Sequence, residues 1–435
     1  MRITNNMIMN NTLLGLNKNM KRLDTLYSQM TTLKKIQRPS DDPIIAGRAL
    51  KFRTRIAETQ QFQSNIKQAK SWMGGSEQAI KNIESILGSM RDSCVQGSND
   101  TLGIDEQKKI ADQLMELKKQ LINEGNVSYD GGRYLFSGFR TDTKLVFDKT
   151  TDKKFEITQS FTKEDIEEIE IAGKHTQDKK PGIAYRIRLA YDNLKDNVSG
   201  LTVTTMDSNS NDAYYPTNSG TVHYLRDTGE LIFHEEDIDT IADFTISYEK
   251  HSFKGGDLNP VHYFECEDLD GGEKYVPSTE KIQYEVGINN KIEVNILGKD
   301  ILTTDLMRDI DELSRLVDEI YSIEEDVKKG NKPEDERMGL LDVSRRFNSL
   351  IGKLDKHLSQ ISTEKSGLGN RMKRLELVSN RLAADELNFK ELNNDNEGVD
   401  LEEVYTEFSM QQIIYNSALN ATAKVIQPTL LDFIR

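Results

Sequence analysis

The sequence predicts a mainly α protein with a β insertion: a long antiparallel helical bundle or coiled coil formed by both chain termini, plus a β-rich outer domain. Two observations carry this. Apolar residues alternate at spacings of three and four over long stretches at both ends, which is the seam of a packed helix, and the middle of the chain changes to short β-branched and aromatic runs between turn formers.

The first seam is Met9, Leu13, Leu16, Met20, Leu23, Tyr27 and Met30. It ends at Arg38-Pro39-Ser40-Asp41-Asp42-Pro43, because Pro39 cannot continue a helix. Asp42 before Pro43 is an N-cap with proline at the first helical position, so a second helix starts there. Its seam is Ile66, Ala69, Met73, Ser76, Ile80, Ile83, Leu87, Met90 and Cys94, followed by the polar 97–103 segment. Ile110, Leu114, Leu117 and Leu121 mark a third helix, stopped by Gly125.

Toward the other end, Leu306, Ile310, Leu313, Val317 and Ile320 form a helix capped by Thr303 or Thr304. The longest seam follows: Leu340, Val343, Phe347, Leu350, Leu354, His357, Ile361, Glu364, Leu368, Arg371, Leu375, Val378, Leu382, Asp385 and Phe389. Fifty residues at about 1.5 Å each make a helix about 75 Å long, which must lie against another long helix; residues 44–97 are the expected mate. A last helix carries Leu401, Tyr405, Phe408, Tyr415, Leu419 and Ile426 on its seam, with Gln412 and Thr422 as polar exceptions.

Between these ends, 201–205, 222–225, 231–233, 244–248 and 261–264 read as strands, with turns at Asp227-Thr228-Gly229 and Asp270-Gly271-Gly272. Residues 284–288 and 291–296, joined at Asn289-Asn290, read as a hairpin. The domain expectation is therefore 1–40 with 396–435 as terminal helices forming an inner assembly domain, 41–159 with 279–395 as a long-helix rod domain with a β-hairpin, and 160–278 as the variable β-rich outer domain.

Composition narrows the function. With 57 basic against 72 acidic residues and a net charge of −15, phosphate backbones and anionic membranes are repelled, so neither nucleic acid nor membrane insertion is expected. No apolar run reaches 18 residues, and Met1–Gly15 lacks the apolar stretch of a cleavable secretion signal. Cys94 and Cys266, far apart in sequence, read as buried neutral thiols. His262 and Cys266 read as sharing a strand face, but four residues at ~3.3 Å each separate them too far for one zinc ion. Asp268–Glu273 lacks a calcium loop's ligand spacing and reads as a hairpin turn; Asp165–Glu170 reads as a solvated carboxylate face, and His357 as a packed core histidine. Nucleophile-elbow, phosphate-loop and dinucleotide motifs are missing from the sequence, so no enzyme and no cofactor is expected; a secreted hydrolase with its site in the β insertion is the alternative of another class.

The terminal seams are the candidate functional surface. Two single helices set off by a proline break at one end and Asn393–Gly398 at the other bury little in one copy of the chain, and are expected to order on assembly with further copies. Four segments then resemble the flagellin-like, hook-associated family of the bacterial flagellum: Met1–Asn5; Arg38, Pro39, Ser40, Asp41, Asp42 and Pro43 after the first helix; the run Gly131-Gly132-Arg133-Tyr134-Leu135-Phe136-Ser137-Gly138-Phe139, continuing to Thr143; and Phe408–Asn416. The likeness covers roughly 1–150 and 281–435, and the Gly132, Arg133, Tyr134, Phe136, Gly138, Phe139 pattern is that of the family's hook-filament junction branch. The resemblance implies a subunit whose paired terminal helices form an inner tube, which polymerises as a homo-oligomeric ring between hook-associated protein 1 and flagellin. It also implies unfolded export through the flagellar type III apparatus without a cleaved signal, with a cytoplasmic chaperone on the C-terminal helices. A filament flagellin is the runner-up.

Overall fold

A computed structural model describes residues 5–176, 180–210, 212–277, 279–332 and 341–426 of the chain. Six long helices form where the seams place them: α1 (Asn5–Thr32), α2 (Pro43–Gly97), α3 (Ile104–Gly125), α4 (Thr304–Lys328), α5 (Val343–Glu397) and α6 (Leu401–Ile426). Pro43 opens α2 with the Asp42 carboxylate accepting from the backbone N–H of Ile44 at 2.8 Å and Ile45 at 3.1 Å. Thr303 caps α4, its Oγ1 accepting from Leu306 N. All nine seam residues of α2 from Ile66 to Cys94 are buried. So are Val343, Phe347, Leu350, Leu354, Ile361, Leu368, Leu375 and Leu382 on α5; Leu340 lies outside the described residues.

The chain divides into two compact units, Met1–Ile66 with Glu285–Asn290 and Glu376–Arg435, and Lys67–Tyr284 with Lys291–Leu375. These divisions fall inside α2 and α5, inward of the sequence-based boundaries at 40/41 and 395/396.

In the second unit α2 and α5 run antiparallel. A Cβ on Gly97 would stand 2.7 Å from the Phe347 ring, Arg91 Nε donates to Asp355 at 2.6 Å, and Lys365 Nζ to Glu84 at 2.5 Å. Helices α3 and α4 pack beside them, also antiparallel, with Lys118 Nζ reaching Asp311 at 2.6 Å and Lys108 Nζ reaching Asp318 at 2.5 Å. The buried Gln107 amide ties three helices together by donating to Gly97 O at 3.3 Å and Ser344 Oγ at 3.2 Å.

A small hairpin, β1 (Ser128–Tyr129) with β2 (Arg133–Tyr134), follows α3. The β-rich insertion comprises β3 (Phe155–Phe161), β4 (Glu167–Ile171), β5 (Gly182–Arg188), β6 (Val198–Ser199), β7 (Val203–Met206), β8 (Val222–Leu225), β9 (Glu230–Phe233), β10 (Phe244–Lys250), β11 (Glu265–Asp268) and β12 (Lys274–Tyr275). They form two five-stranded sheets, ordered β12-β11-β3-β10-β6 and β4-β5-β9-β8-β7. One core holds residues of both, among them Ile157, Ile246 and Tyr248 from the first and Ile187, Tyr224 and Leu231 from the second. β13 (Gln283–Gly287) and β14 (Asn290–Glu293) are the expected hairpin, turning at Asn289 with φ 55°.

Three sequence readings change here. The 261–264 run is a helical turn, not a strand: Pro260 has no N–H for a ladder, and Asn259 Oδ1 caps the turn by accepting from Val261 N at 3.3 Å. His262 therefore shares no strand face with Cys266, which pairs within β11; burial, reinforced by Arg140, pulls the His262 imidazole down to about 4. The Asp165–Glu170 run is not a free solvated face, since Asp165 Oδ2 accepts from Thr162 N at 2.7 Å and Glu167 lies 3.4 Å from Arg186 and 3.6 Å from Lys353.

The insertion joins α4 through buried arginines. Arg186 on β5 is paired with Glu230 and, at 2.8 Å, with Glu312; Arg188 meets Asp309 at 2.7 Å and Glu312 at 3.0 Å. Arg308 of α4 donates in return to the carbonyls of Leu189, Thr228 and, at 3.1 Å, Tyr191. Burial would raise the Glu312 carboxyl, yet Arg186 and Arg188 hold it far below the usual carboxylate range.

Two outcomes are expected. Leu87→Ala, at a fully buried seam position, should destabilise the second unit by about 2–5 kcal/mol in denaturant melts. Burial pushes the Cys94 and Cys266 thiols up to about 12, so at pH 8 only roughly one in ten thousand is thiolate. Iodoacetamide should leave the native chain unlabelled at pH 8 and modify both thiols once it is unfolded.

Candidate assembly interface

Helices α1 and α6, both in the first unit, pair antiparallel along one seam. Arg22 stands 3.9 Å from Glu407, the Tyr27 and Phe408 rings are 6.4 Å apart, and further along Lys34 bridges Gly398. The two terminal helices are thus partners within one chain, in keeping with the antiparallel bundle of both chain termini that the sequence predicts. The pair forms because the chain turns tightly where the helices meet the rest of the unit.

That turn is built by the Arg38–Pro43 segment and the end of α5. Asp41 Oδ2 accepts from Gln37 N at 3.0 Å and Arg38 N at 2.8 Å, closing the loop, while Asp42 caps α2. Arg38, Pro39, Ser40 and Pro43 are exposed, so the two aspartates carry the bonds that define the bend. Lys35 N donates to Glu397 O at 2.7 Å, Val399 N to Leu33 O at 3.3 Å, and Asn396 Nδ2 to Ile45 O at 3.0 Å. The Glu397 carboxylate is paired with Arg53 and lies 3.5 Å from Lys34. Next to it only glycine fits, since a Cβ on Gly398 would stand 2.4 Å from Asn394 O.

The predicted seams divide in the structure. On α1, Leu16, Leu23 and Met30 face α6, whereas Met9, Leu13, Met20 and Tyr27 stay 36–58% exposed. On α6, Phe408 and Tyr415 face α1, whereas Leu401, Tyr405 and Leu419 stay 41–59% exposed; the Ile426 side chain lies outside the described residues. Three residues that complete the pair were not on the sequence-derived list, Leu26 on α1 and Val404 and Gln411 on α6, all buried; Thr422, read as a polar exception on the α6 seam, is buried too, whereas Gln412 is exposed. Their signal was a second three-four alternation, 12-16-19-23-26-30 and 404-408-411-415-418-422, running beside the first and sharing half its positions. Each helix therefore carries an apolar band two seams wide, and the pair covers one edge of it. Met7, Leu14, Met410, Ile413 and Ile414 widen the exposed surface further.

The second family segment does different work, in the second unit. Asp130, Gly131 and Gly132 all have positive φ, at 35°, 82° and 96°, and close the β1–β2 turn. Arg133 is exposed, Tyr134 half-buried and Phe136 buried, with Phe136 O accepting from Gly298 N at 2.8 Å. Gly138, at φ 62°, packs where a Cβ would meet Leu297 at 3.2 Å, and Phe139 is left 52% exposed. Tyr129 of this hairpin stacks edge-on against Trp72, 5.5 Å between centroids.

A cleft of about 810 Å³ between the β insertion and α4 and α5 is lined by charged side chains, among them the pairs Lys353 with Asp309 at 2.8 Å and Lys174 with Glu319. No cluster of three or more histidine, cysteine or carboxylate groups suited to a metal occurs among the described residues, nor any helix long and apolar enough to cross a membrane.

An intrachain pair of terminal helices with an uncovered apolar edge in one unit, and a helical bundle with an inserted β domain in the other, define a class of mainly α protein with a β insertion. Residues 3–141 match the bacterial flagellin N-terminal helical region and residues 351–434 the bacterial flagellin C-terminal helical region, just over half of the chain together. The chain belongs to the bacterial flagellin family. It is 28% identical over 151 residues to flagellar hook-associated protein 3 of Salmonella typhimurium, covering 35% of this chain and 47% of that protein. The corresponding figures are 27% over 143 residues, 33% and 45%, for hook-associated protein 3 of Escherichia coli, and 27% over 158 residues, 36% and 41%, for a flagellin of Clostridium tyrobutyricum. The chain thus spans under half the length of each of these relatives.

Burial would raise the Glu397 carboxyl, but Asn393, Arg53 and Lys34 outweigh it and hold it below its ordinary value. A depressed carboxylate contributes stability above its unfolded pKa, ~4.3 for Glu, and loses it as pH falls through the folded value. The protection factors of the Lys35 and Val399 amides, measured relative to intrinsic exchange at each pH, should therefore fall as the pH is lowered through that range, and Glu397→Gln should flatten this dependence.

Proposed function

We propose that this chain is a structural subunit of the bacterial flagellum at the hook-filament junction, polymerising through α1 and α6. The observation that carries the proposal is the apolar edge left on the terminal pair. Met9, Leu13, Met20 and Tyr27 on one helix and Leu401, Tyr405 and Leu419 on the other stay 36–59% exposed in a single chain, and a second copy of the same pair offers matching helices to cover them. The occupant is thus this chain itself, in a homo-oligomeric ring.

Similarity to hook-associated protein 3 supports the junction position, and the family's structural character supports a role without catalysis. On this reading the ring sits between hook-associated protein 1 and flagellin, outside the cell. The chain reaches it through the flagellar type III apparatus without a cleaved signal, its C-terminal helices held beforehand by a cytoplasmic chaperone. The similarity to a flagellin keeps a filament subunit as the second reading. The family model at each end is common to both; copy number separates them, one short ring against thousands per filament.

Deleting the gene should leave hooks that shed flagellin into the medium, and normal filaments on such cells would refute the junction role. Leu13→Asp and Tyr405→Asp place charge on the uncovered edge. They should leave the circular dichroism of the monomer unchanged and abolish its assembly as followed by light scattering. Leu16→Asp and Tyr415→Asp, in the intrachain seam, should instead lower the helicity of the isolated chain.

A further inference from the structure

Lys250 ends β10, opposite Phe155 on β3, and is only 1% exposed. Its Nζ lies 5.4 Å from the centre of the Phe253 ring and 5.5 Å from that of Tyr191, both buried in the core of the β insertion. It donates to the backbone O of Asp192 at 2.7 Å, and stands 3.5 Å from Asp192 Oδ1 and 3.7 Å from Asp257 Oδ2. Lys254 completes the group, with Nζ 3.2 Å from Asp192 Oδ2 and its backbone N–H donating to Asp257 Oδ2 at 2.8 Å.

The two carboxyls differ in character. Burial, only partly offset by Lys250, raises the Asp257 carboxyl and favours its neutral acid. Burial would raise Asp192 as well, but Lys250 and Lys254 hold it below its ordinary value, as a carboxylate. Burial also lowers the Lys250 ammonium against the pull of both aspartates, which favours the free amine. An amine nucleophile thus sits beside an uncharged carboxyl and a carboxylate base.

We propose that Lys250 and Asp257 condense into an intrachain isopeptide bond, with Asp192 carrying the proton. Lys250 Nζ attacks Asp257 Cγ, and Asp192 takes a proton from the attacking amine. The negative charge that develops on Asp257 Oδ2 is met by the Lys254 N–H already bonded to that oxygen. Asp192 then returns the proton to the Asp257 hydroxyl, which departs as water. A C–N bond replaces a C–O bond, and nothing is oxidised or reduced. Condensation is unfavourable between free groups in water, but groups held in contact react at effective concentrations of about 10⁵–10⁸ M. Tyr191 and Phe253 shield the amine, while the Asp192 and Asp257 side chains, 26% and 21% exposed, leave the released water a way out. The Asp257 backbone is held in place by Phe147 N, which donates to its O at 2.9 Å. The bond ties the end of β10 to the segment entering the Pro260–Tyr263 turn, a covalent brace in a chain whose two cysteines are free.

The test is the intact mass of the folded full-length chain, measured after denaturation. It should fall below the sequence mass by one water molecule, and trypsin should release 227–254 joined to 255–274 as one species, uncut after Lys250. Lys250→Met keeps the site apolar and should return the full mass, which separates the bond from dehydration at an Asp-Gly step such as Asp270-Gly271. Asp257→Ala should do the same. Asp192→Asn should acquire the bond about a hundredfold more slowly after synthesis. A native chain at full sequence mass, two separate tryptic peptides, or a water loss that persists in Lys250→Met would each overturn the bond, and unslowed formation in Asp192→Asn would overturn the role of Asp192. Should the variants fail to fold, the native mass and its tryptic map decide alone. The mass belongs to the single chain, so the assembly reading stands or falls separately.

Discussion

Two α-helices in contact can cover only one strip of each other, and here each strip is narrower than the apolar band it belongs to. That mismatch governs the first unit. Leu16, Leu23 and Met30 are shared between two overlapping seams of α1, and Phe408 and Tyr415 between two of α6. One seam of each helix is satisfied inside the chain by Leu26 and Val404; the other, with Leu13, Met20, Tyr405 and Leu419, has no partner in a single copy. A band two seams wide calls for more than one neighbouring helix, and a lone pair supplies one.

The pair exists within one chain because of the corner that feeds it. Asp41 closes the loop on its own backbone, Asp42 caps α2, and Glu397 gathers Arg53 and Lys34 while its carbonyl receives Lys35 N. Gly398 admits the close passage of the chain against Asn394 O. A short polar segment whose exposed residues make few contacts of their own thereby converts two chain ends, hundreds of residues apart in sequence, into an antiparallel pair. The hydrogen bonds are local on one side of the corner and non-local on the other, which couples the start of α2 to the start of α6.

The second unit uses a different device to attach its β insertion. Arg186, Arg188 and Arg308 are buried with their charges spent on Glu230, Glu312, Asp309 and backbone carbonyls. Paired and hydrogen-bonded charges survive burial, whereas one stripped of its partners is costly, so the attachment tolerates little substitution. It also places polar side chains where a strand otherwise reads as apolar, which hid β5 from sequence reading. β3 and β4 were missed for a related reason: their alternation, Phe155, Ile157 and Phe161, then Ile169 and Ile171, is interrupted by charged and polar residues facing outward.

What the sequence by itself determined is the helical architecture and the surface chemistry of the ends. Three-four spacing reports which side of a helix is apolar, and a proline or a capping aspartate reports where it starts, because both effects act within a turn or two of backbone. The spacing thus located α1 to α6, the burial of Ile66 to Cys94 and one seam of each terminal helix. Tertiary structure alone decided which of two overlapping seams is filled, that Gln411 meets Asn19, that the 261–264 run coils instead of extending, and that Glu167 is drawn from solvent toward Arg186. Periodicity describes one helix at a time, and it holds no information on which neighbour, or how many, will lie against it.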